Sequence, residues 1–152
     1  MRLLLDVMCG GLRSYLRMCG HDTVYALDDA APGDPSTEDA ALARRARAEG
    51  RTLVTRDVQL AGRVEDAILL ESRDVDEQLR ELHAAGVPLE LDDTPTYCGA
   101  CNGPLVRLGD GESTPEYAPD TDEATVWRCR HCGQCFWKGS HWERVGETLA
   151  GL

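Results

Sequence analysis

Cys98 and Cys101 form one Cys-x2-Cys pair and Cys129 and Cys132 a second, with 27 residues between them. Two thiolates on each of two tight turns, Cys98-Gly99-Ala100-Cys101 and Cys129-Arg130-His131-Cys132, can close a tetrahedral sulfur shell around Zn2+. No other feature constrains the fold as much, because a segment closed on a metal needs little apolar core of its own. The spacing predicts a small zinc ribbon at the C-terminal end. A closed four-sulfur shell leaves no coordination position for a substrate, so any chemistry must come from elsewhere in the chain.

The remaining sequence reads as a larger N-terminal domain, residues 1–92, ahead of a ribbon domain, residues 93–152. Seven cysteines, an odd number with metal-ligand spacing, favour a reducing cytoplasm over a disulfide framework. The opening run Leu3-Leu4-Leu5 is cut short by Asp6, so it reads as a buried strand and as neither a signal peptide nor a membrane span. Acidic residues outnumber basic ones by 27 to 16, the net charge is −11, and Lys138 is the one lysine. Such a surface suits a salt-rich cytoplasm, where a Debye length of ~3 Å at 1 M screens self-repulsion; an ordinary acidic protein is the alternative. The bulk charge opposes a nucleic-acid partner, so that class has to be argued from local features.

Short apolar runs at 2–7, 23–27, 52–55 and 67–70 read as strands, alternating with helices at 11–19, 36–49, 58–64 and 75–85. Alternation of this kind predicts an α/β fold, a parallel sheet flanked by helices. Residues 87–96, with Pro88, Asp92, Asp93 and Pro95, read as a linker, and 110–123 as an exposed loop.

In an open parallel sheet, ligands gather outside the carboxyl ends of the strands. Asp6, the pair Asp28 and Asp29, and Asp57 each follow a predicted strand. Asp39, in the first turn of the next helix, shares a face with Leu42, Ala43 and Ala46. Converging carboxylates repel one another unless a divalent cation neutralises them, and hard oxygen ligands select Mg2+ or Mn2+. An ion there would orient a phosphodiester, lower the pKa of a water and stabilise the leaving oxygen, which is hydrolysis of a nucleic-acid backbone. Each acid also has a plain structural reading. Asp39 could complete a capping box with Ser36, Asp28 and Asp29 could open a polar loop, and Asp57 could cap the helix after it. Asp6, ending an apolar strand without a turn signal, is the hardest to explain structurally.

The same residues carry a family likeness. Asp6, Gly20-His21-Asp22-Thr23-Val24, the run from Asp39 to Ala46 and the run from Gly50 to Asp57 resemble PIN-like ribonucleases in order and style. With Cys98-x2-Cys101-Asn102, Cys129-x2-Cys132-Gly133 and the ending from Phe136 to Trp142, nearly the whole chain resembles the Mut-seven C-terminal (Mut7-C) RNase family. The resemblance implies a PIN-like, Rossmann-like sheet followed by a zinc ribbon, and a metal-dependent ribonuclease acting on RNA. It implies Asp6, Asp39 and Asp57 as Mg2+ or Mn2+ ligands, with Asp28, Asp29 or Glu38 as a fourth acid. In the run Leu12-Arg13-Ser14-Tyr15-Leu16-Arg17, Arg17 matches the family pattern and becomes a phosphate contact, whereas Arg13 is displaced by one position. A non-catalytic RNA- or ribosome-binding adaptor, and a toxin-like nuclease held by a protein regulator, are the alternatives.

Arg44, Arg45, Arg47, Arg51 and Arg56 form a local basic stretch against one acid, Glu49. They could position phosphates, as could Lys138, His141 and Arg144 near the ribbon end, or be solvated charge. Trp127, Phe136, Trp137 and Trp142 could stack on unpaired bases or pack the ribbon. Cys135, a further thiol beyond the four ligands, is expected to be packed or free, and Cys9 and Cys19 to be small buried residues. His21 and His131 fit turn roles.

Overall fold

A computed structural model describes residues 1–31 and 33–152. Four strands, β1 (Arg2–Leu5), β2 (Asp22–Tyr25), β3 (Thr52–Thr55) and β4 (Ala67–Leu69), form a fully parallel sheet in the order β2-β1-β3-β4. Alternation along the central strand explains why Leu3-Leu4-Leu5 is apolar throughout. Leu3 and Leu5 enter one core and Leu4 the other, so both faces of β1 are covered.

The first core takes Leu12 and Leu16 from α1 (Arg13–Met18) with its preceding 3-10 turn (Val7–Leu12), and Leu79 and Leu82 from α4 (Val75–Ala84). The second takes Leu42, Ala43 and Ala46 from α2 (Asp39–Glu49) and Leu60 from α3 (Val58–Ala61). The chain leaves β1 toward one face and β3 toward the other. Their adjacent carboxyl ends therefore form the switch point of the sheet, where a crevice opens between diverging connections.

The ribbon is a three-stranded antiparallel sheet, β5 (Leu105–Arg107), β6 (Trp127–Cys129) and β7 (Cys135–Phe136), in that order. A final helix, α5 (Ser140–Ala150), returns to the first core with Val145 and Leu149. Among the described residues no helix is long and apolar enough to cross a membrane.

Three expectations change. The helix expected at 36–49 is two pieces: a 3-10 turn, Pro35–Thr37, capped by Asp34, then α2, with Glu38 extended between them. Ser36 therefore forms no capping box with Asp39. The expected linker at 87–96 begins as a packed strap, since Val87 and Leu89 are buried in the first core and Leu91 lies against it. Their every-second spacing turns the intervening Pro88 and Glu90 outward. Helix α5 was not anticipated, although Trp142, Val145 and Leu149 follow helical spacing beyond Gly139.

Candidate functional site

Asp6 leaves the end of β1 with its backbone N–H bonded to the Val54 carbonyl, which sets it beside β3. Its carboxylate is buried, accepting from the Val7 N–H at 2.7 Å and from the Thr55 hydroxyl at 2.7 Å. The Thr55 hydroxyl oxygen in turn accepts the Asp57 N–H at 3.0 Å. One threonine thus ties together two acids from adjacent strand ends at the switch point. Asp57 caps α3, with Oδ1 accepting from the N–H groups of Gln59 and Leu60. The structural reading of Asp57 is correct, yet the cap occupies one oxygen and leaves Oδ2 without a hydrogen-bond partner among the described residues.

The turn after Asp6 is held by Tyr25, whose hydroxyl donates to the Val7 carbonyl at 2.7 Å. Gly10 is required beneath that ring, because a Cβ there would lie 2.6 Å from it. Cys9 is fully buried in the same turn. Burial, followed by the Asp6 charge, pushes its thiol up to about 12, against the Arg56 charge and backbone N–H. Asp6 and Arg56 therefore share one electrostatic neighbourhood. Arg56 is half-buried, and its Nε is a buried donor without a hydrogen-bond partner.

Asp39 opens α2, half-buried on the side of Leu42, Ala43 and Ala46, and its carboxylate has no hydrogen-bond partner among the described residues. It does not close a tight three-acid cluster with Asp6 and Asp57. Among the described residues, the only group of three or more such ligands whose atoms lie within 4.8 Å of one another is the four-cysteine set. Of the proposed fourth acids, Asp28 is engaged by Arg17 at 2.6 Å, Asp29 is 3.9 Å from Arg45, and Glu38 is exposed at the start of α2.

Arg17 corrects an expectation. Its side chain is fully buried, with Nε donating to the Thr23 carbonyl, NH1 to the Gly99 carbonyl and NH2 to Asp28. A buried guanidinium on three acceptors is a strut between the sheet edge and the first cysteine turn, not a phosphate contact. Arg51 is likewise internal, bridging Asp22 and Glu49, each at 2.8–2.9 Å. Arg45 pairs with Glu49 at 2.8 Å. Lys138 donates to the Asp93 carbonyl and stands 5.5 Å from the Trp142 ring centroid. His141 and Arg144 are exposed on α5.

The two cysteine turns are built alike. The Asn102 N–H bonds to the Cys98 carbonyl and the Gly133 N–H to the Cys129 carbonyl; Cys98 and Cys129 donate onward to Gly103 and Gln134. Each turn needs a left-handed residue after its second cysteine, Asn102 (φ 68°) in one and Gly133 (φ 80°) in the other. Sulfur separations of 3.6 Å (Cys98–Cys132) and 3.5 Å (Cys101–Cys129) are close to the edge of a zinc tetrahedron, about 3.8 Å for bonds of about 2.3 Å. The His131 and Cys132 N–H groups point at the Cys129 sulfur. Burial would raise that thiol, but those N–H groups and the neighbouring cysteines bring it down to about 7, whereas burial pushes the Cys98 and Cys101 thiols up, so a metal would have to displace protons from those two. Gly103 leaves room for the cluster, since a Cβ would lie 2.7 Å from the Cys129 sulfur. The four cysteines can hold a zinc ion, and Cys135 lies outside the set, buried as expected.

Asn102 was missed as a positioning residue. Its Oδ1 accepts the Thr23 N–H at 2.9 Å and its Nδ2 donates to Asp22 at 2.8 Å. With Arg17 on the Thr23 carbonyl, both outward backbone groups of Thr23 on edge strand β2 are satisfied from side chains. His21 fills its turn role, its ring nitrogens within 2.9 Å of the N-terminal amine and 2.6 Å of the Pro88 carbonyl.

Compared with known families, the chain matches the family model of the Mut7-C RNAse domain over residues 1–149. No curated protein and no solved structure matches it.

Proposed function

Because this chain belongs to the Mut7-C RNAse domain family, whose activity implies RNA as substrate, we propose that it is a divalent-metal-dependent ribonuclease with a PIN-like acid site. The observation that carries the proposal is the Asp6–Thr55–Asp57 link at the switch point of the sheet. Mg2+ commonly keeps several waters and is held by one or two carboxylates, so Asp6 and the free oxygen of Asp57 would be the residues that hold it, with Asp39 as a further candidate acid. Bound there, Mg2+ or Mn2+ would supply a water of lowered pKa and offset charge at the scissile phosphate.

The chain's own residues do the rest. Thr55 holds the two acids in register, and the Asp57 cap fixes that carboxylate on α3. Arg56 supplies a cation for a phosphate oxygen. A buried donor left unpaired costs about 1–3 kcal/mol, so the Arg56 Nε marks a site where the fold tolerates a cation beside Asp6 that it does not itself satisfy. The zinc ribbon is structural and helps to hold the RNA.

Asparagine caps helices about as well as aspartate, so Asp57→Asn should abolish Mg2+-stimulated RNA cleavage while leaving fold and zinc content unchanged. Undiminished cleavage by the pure variant would rule the site out. The adaptor reading draws on the loose placement of Asp39; binding of RNA without cleavage in either metal would favour it.

A further inference from the structure

A cavity of about 270 Å3 opens between the ribbon and helices α1 and α5, away from the acids. Its walls are Met18, Tyr97, Tyr117, Trp137 and Trp142. Such walls would be an ordinary small core if closed, but Tyr117 is 53 % exposed at the mouth. Several devices hold the rings in place. Trp137 lies against the backbone of Gly139, where a Cβ would come within 2.6 Å of the indole nitrogen. Tyr117 is anchored by the Cys135 N–H on its hydroxyl at 3.0 Å, and its ring centroid is 6.2 Å from that of Trp137. Gln134, Ser140 and His141 add polar groups to an otherwise apolar lining.

We propose that this cleft takes one unpaired base of an RNA strand. The inference rests on the ribonuclease reading for its substrate class. Aromatic faces accept any base, and the polar groups can meet a base edge. The charge around the cleft is mixed: residues 127–144 carry Arg128, Arg130, Lys138 and Arg144 against Glu143, whereas the loop that brings in Tyr117, residues 110–123, carries Asp110, Glu112, Glu116, Asp120, Asp122 and Glu123. The rings, and not the local charge, are therefore what would hold the strand here, through a base and not through its phosphates. Ser14, at one end of α1, lines the cleft, whereas Asp6 precedes the 3-10 turn leading into that helix. That path is kinked at Cys9, so its summed helical rise of roughly 15 Å is an upper bound on the separation, a span of at most a few nucleotides. The cleft would anchor the strand and fix which bond reaches the acids.

The test is a tryptophan-fluorescence titration of the full zinc-loaded chain, without added Mg2+ or Mn2+. Two probes are compared, single-stranded oligoadenylate and a ribose-phosphate strand of equal length lacking bases. Oligoadenylate should bind more tightly. Trp137→Ala and Tyr117→Ala should each weaken it by roughly 5- to 150-fold with an unchanged salt slope, and Trp137→Phe should restore most of the affinity. Tyr117 is exposed, so its variant reports on the cleft even if Trp137→Ala fails to fold. Equal binding of the two strands, or equal affinity of the Tyr117 variant, overturns the proposal, and so does protection of Trp137 by self-association without RNA. Mg2+-dependent cleavage measured in parallel separates the two readings. Cleavage without base-dependent binding removes the cleft alone, and base-dependent binding without cleavage removes the nuclease alone.

Discussion

Replacing Arg17 by lysine keeps the charge and removes the fork. The guanidinium donates to the Thr23 carbonyl at 3.0 Å, the Gly99 carbonyl at 3.0 Å and Asp28 at 2.6 Å, in three directions from a fully buried position. An ammonium reaches one of these acceptors and leaves two unpaired. Hydrogen bonds from a charged donor contribute about 1.5–3 kcal/mol each, so the loss should be about 3–6 kcal/mol. Set against a total stability of about 5–15 kcal/mol, that is a large fraction. With a urea dependence of about 2 kcal/mol per molar, the midpoint should fall by about 1.5–3 M. Urea unfolding of the zinc-loaded chain by tryptophan fluorescence measures it, with RNA affinity taken alongside. A midpoint within about 0.5 M of the parent, combined with much weaker RNA binding, would mean that Arg17 faces a phosphate and that the strut is wrong.

Three further outcomes follow from the geometry. Gly103→Ala should lower zinc affinity, because its Cβ meets the Cys129 sulfur at 2.7 Å; competition with a colorimetric chelator measures this, and unchanged affinity would show that the turn has slack. Asp22 and Glu49 are each raised by burial but more than offset by hydrogen bonds, chiefly from Arg51, so both carboxyls lie below their usual range. The unfolded chain then binds more protons, so this stability is complete above a pH of about 4 and is lost as pH falls through the folded values; Arg51→Met should flatten that acid limb of the urea midpoint. With a net charge of −11, we also expect the midpoint to rise between low and molar KCl, and a flat response would remove the case for a salt-rich setting.

Local constraints were legible in the sequence. Metal geometry dictates the spacing of Cys98, Cys101, Cys129 and Cys132, and a doubly covered sheet dictates Leu3-Leu4-Leu5, so both could be read directly. Asp6 and Asp57 were legible as strand-end acids, but the threonine joining them was not, since Thr55 reads as an ordinary strand residue. Arg17 and Asn102 were opaque for a different reason. Their partners lie 82 and 79 residues away, at Gly99 and Thr23 respectively, and nothing in local periodicity records such a contact. The strap at Val87 and Leu89 carried a period-two signal that Pro88 and the acidic residues around it obscured.

The attachment of Asn102 to Thr23 would give a zinc ion held by the four cysteines a role beyond the ribbon. Strand β2 lies at the border of the parallel sheet, and the groups it offers outward at Thr23 are covered by Asn102 from the first cysteine turn and by Arg17, which is itself braced on Gly99 of that turn. Stripping the metal frees the turn and bares that border to strand addition by other molecules. Loss of a metal held there would therefore open that border to strand addition, and the left-handed asparagine would act as a guard against aggregation whose post depends on the metal.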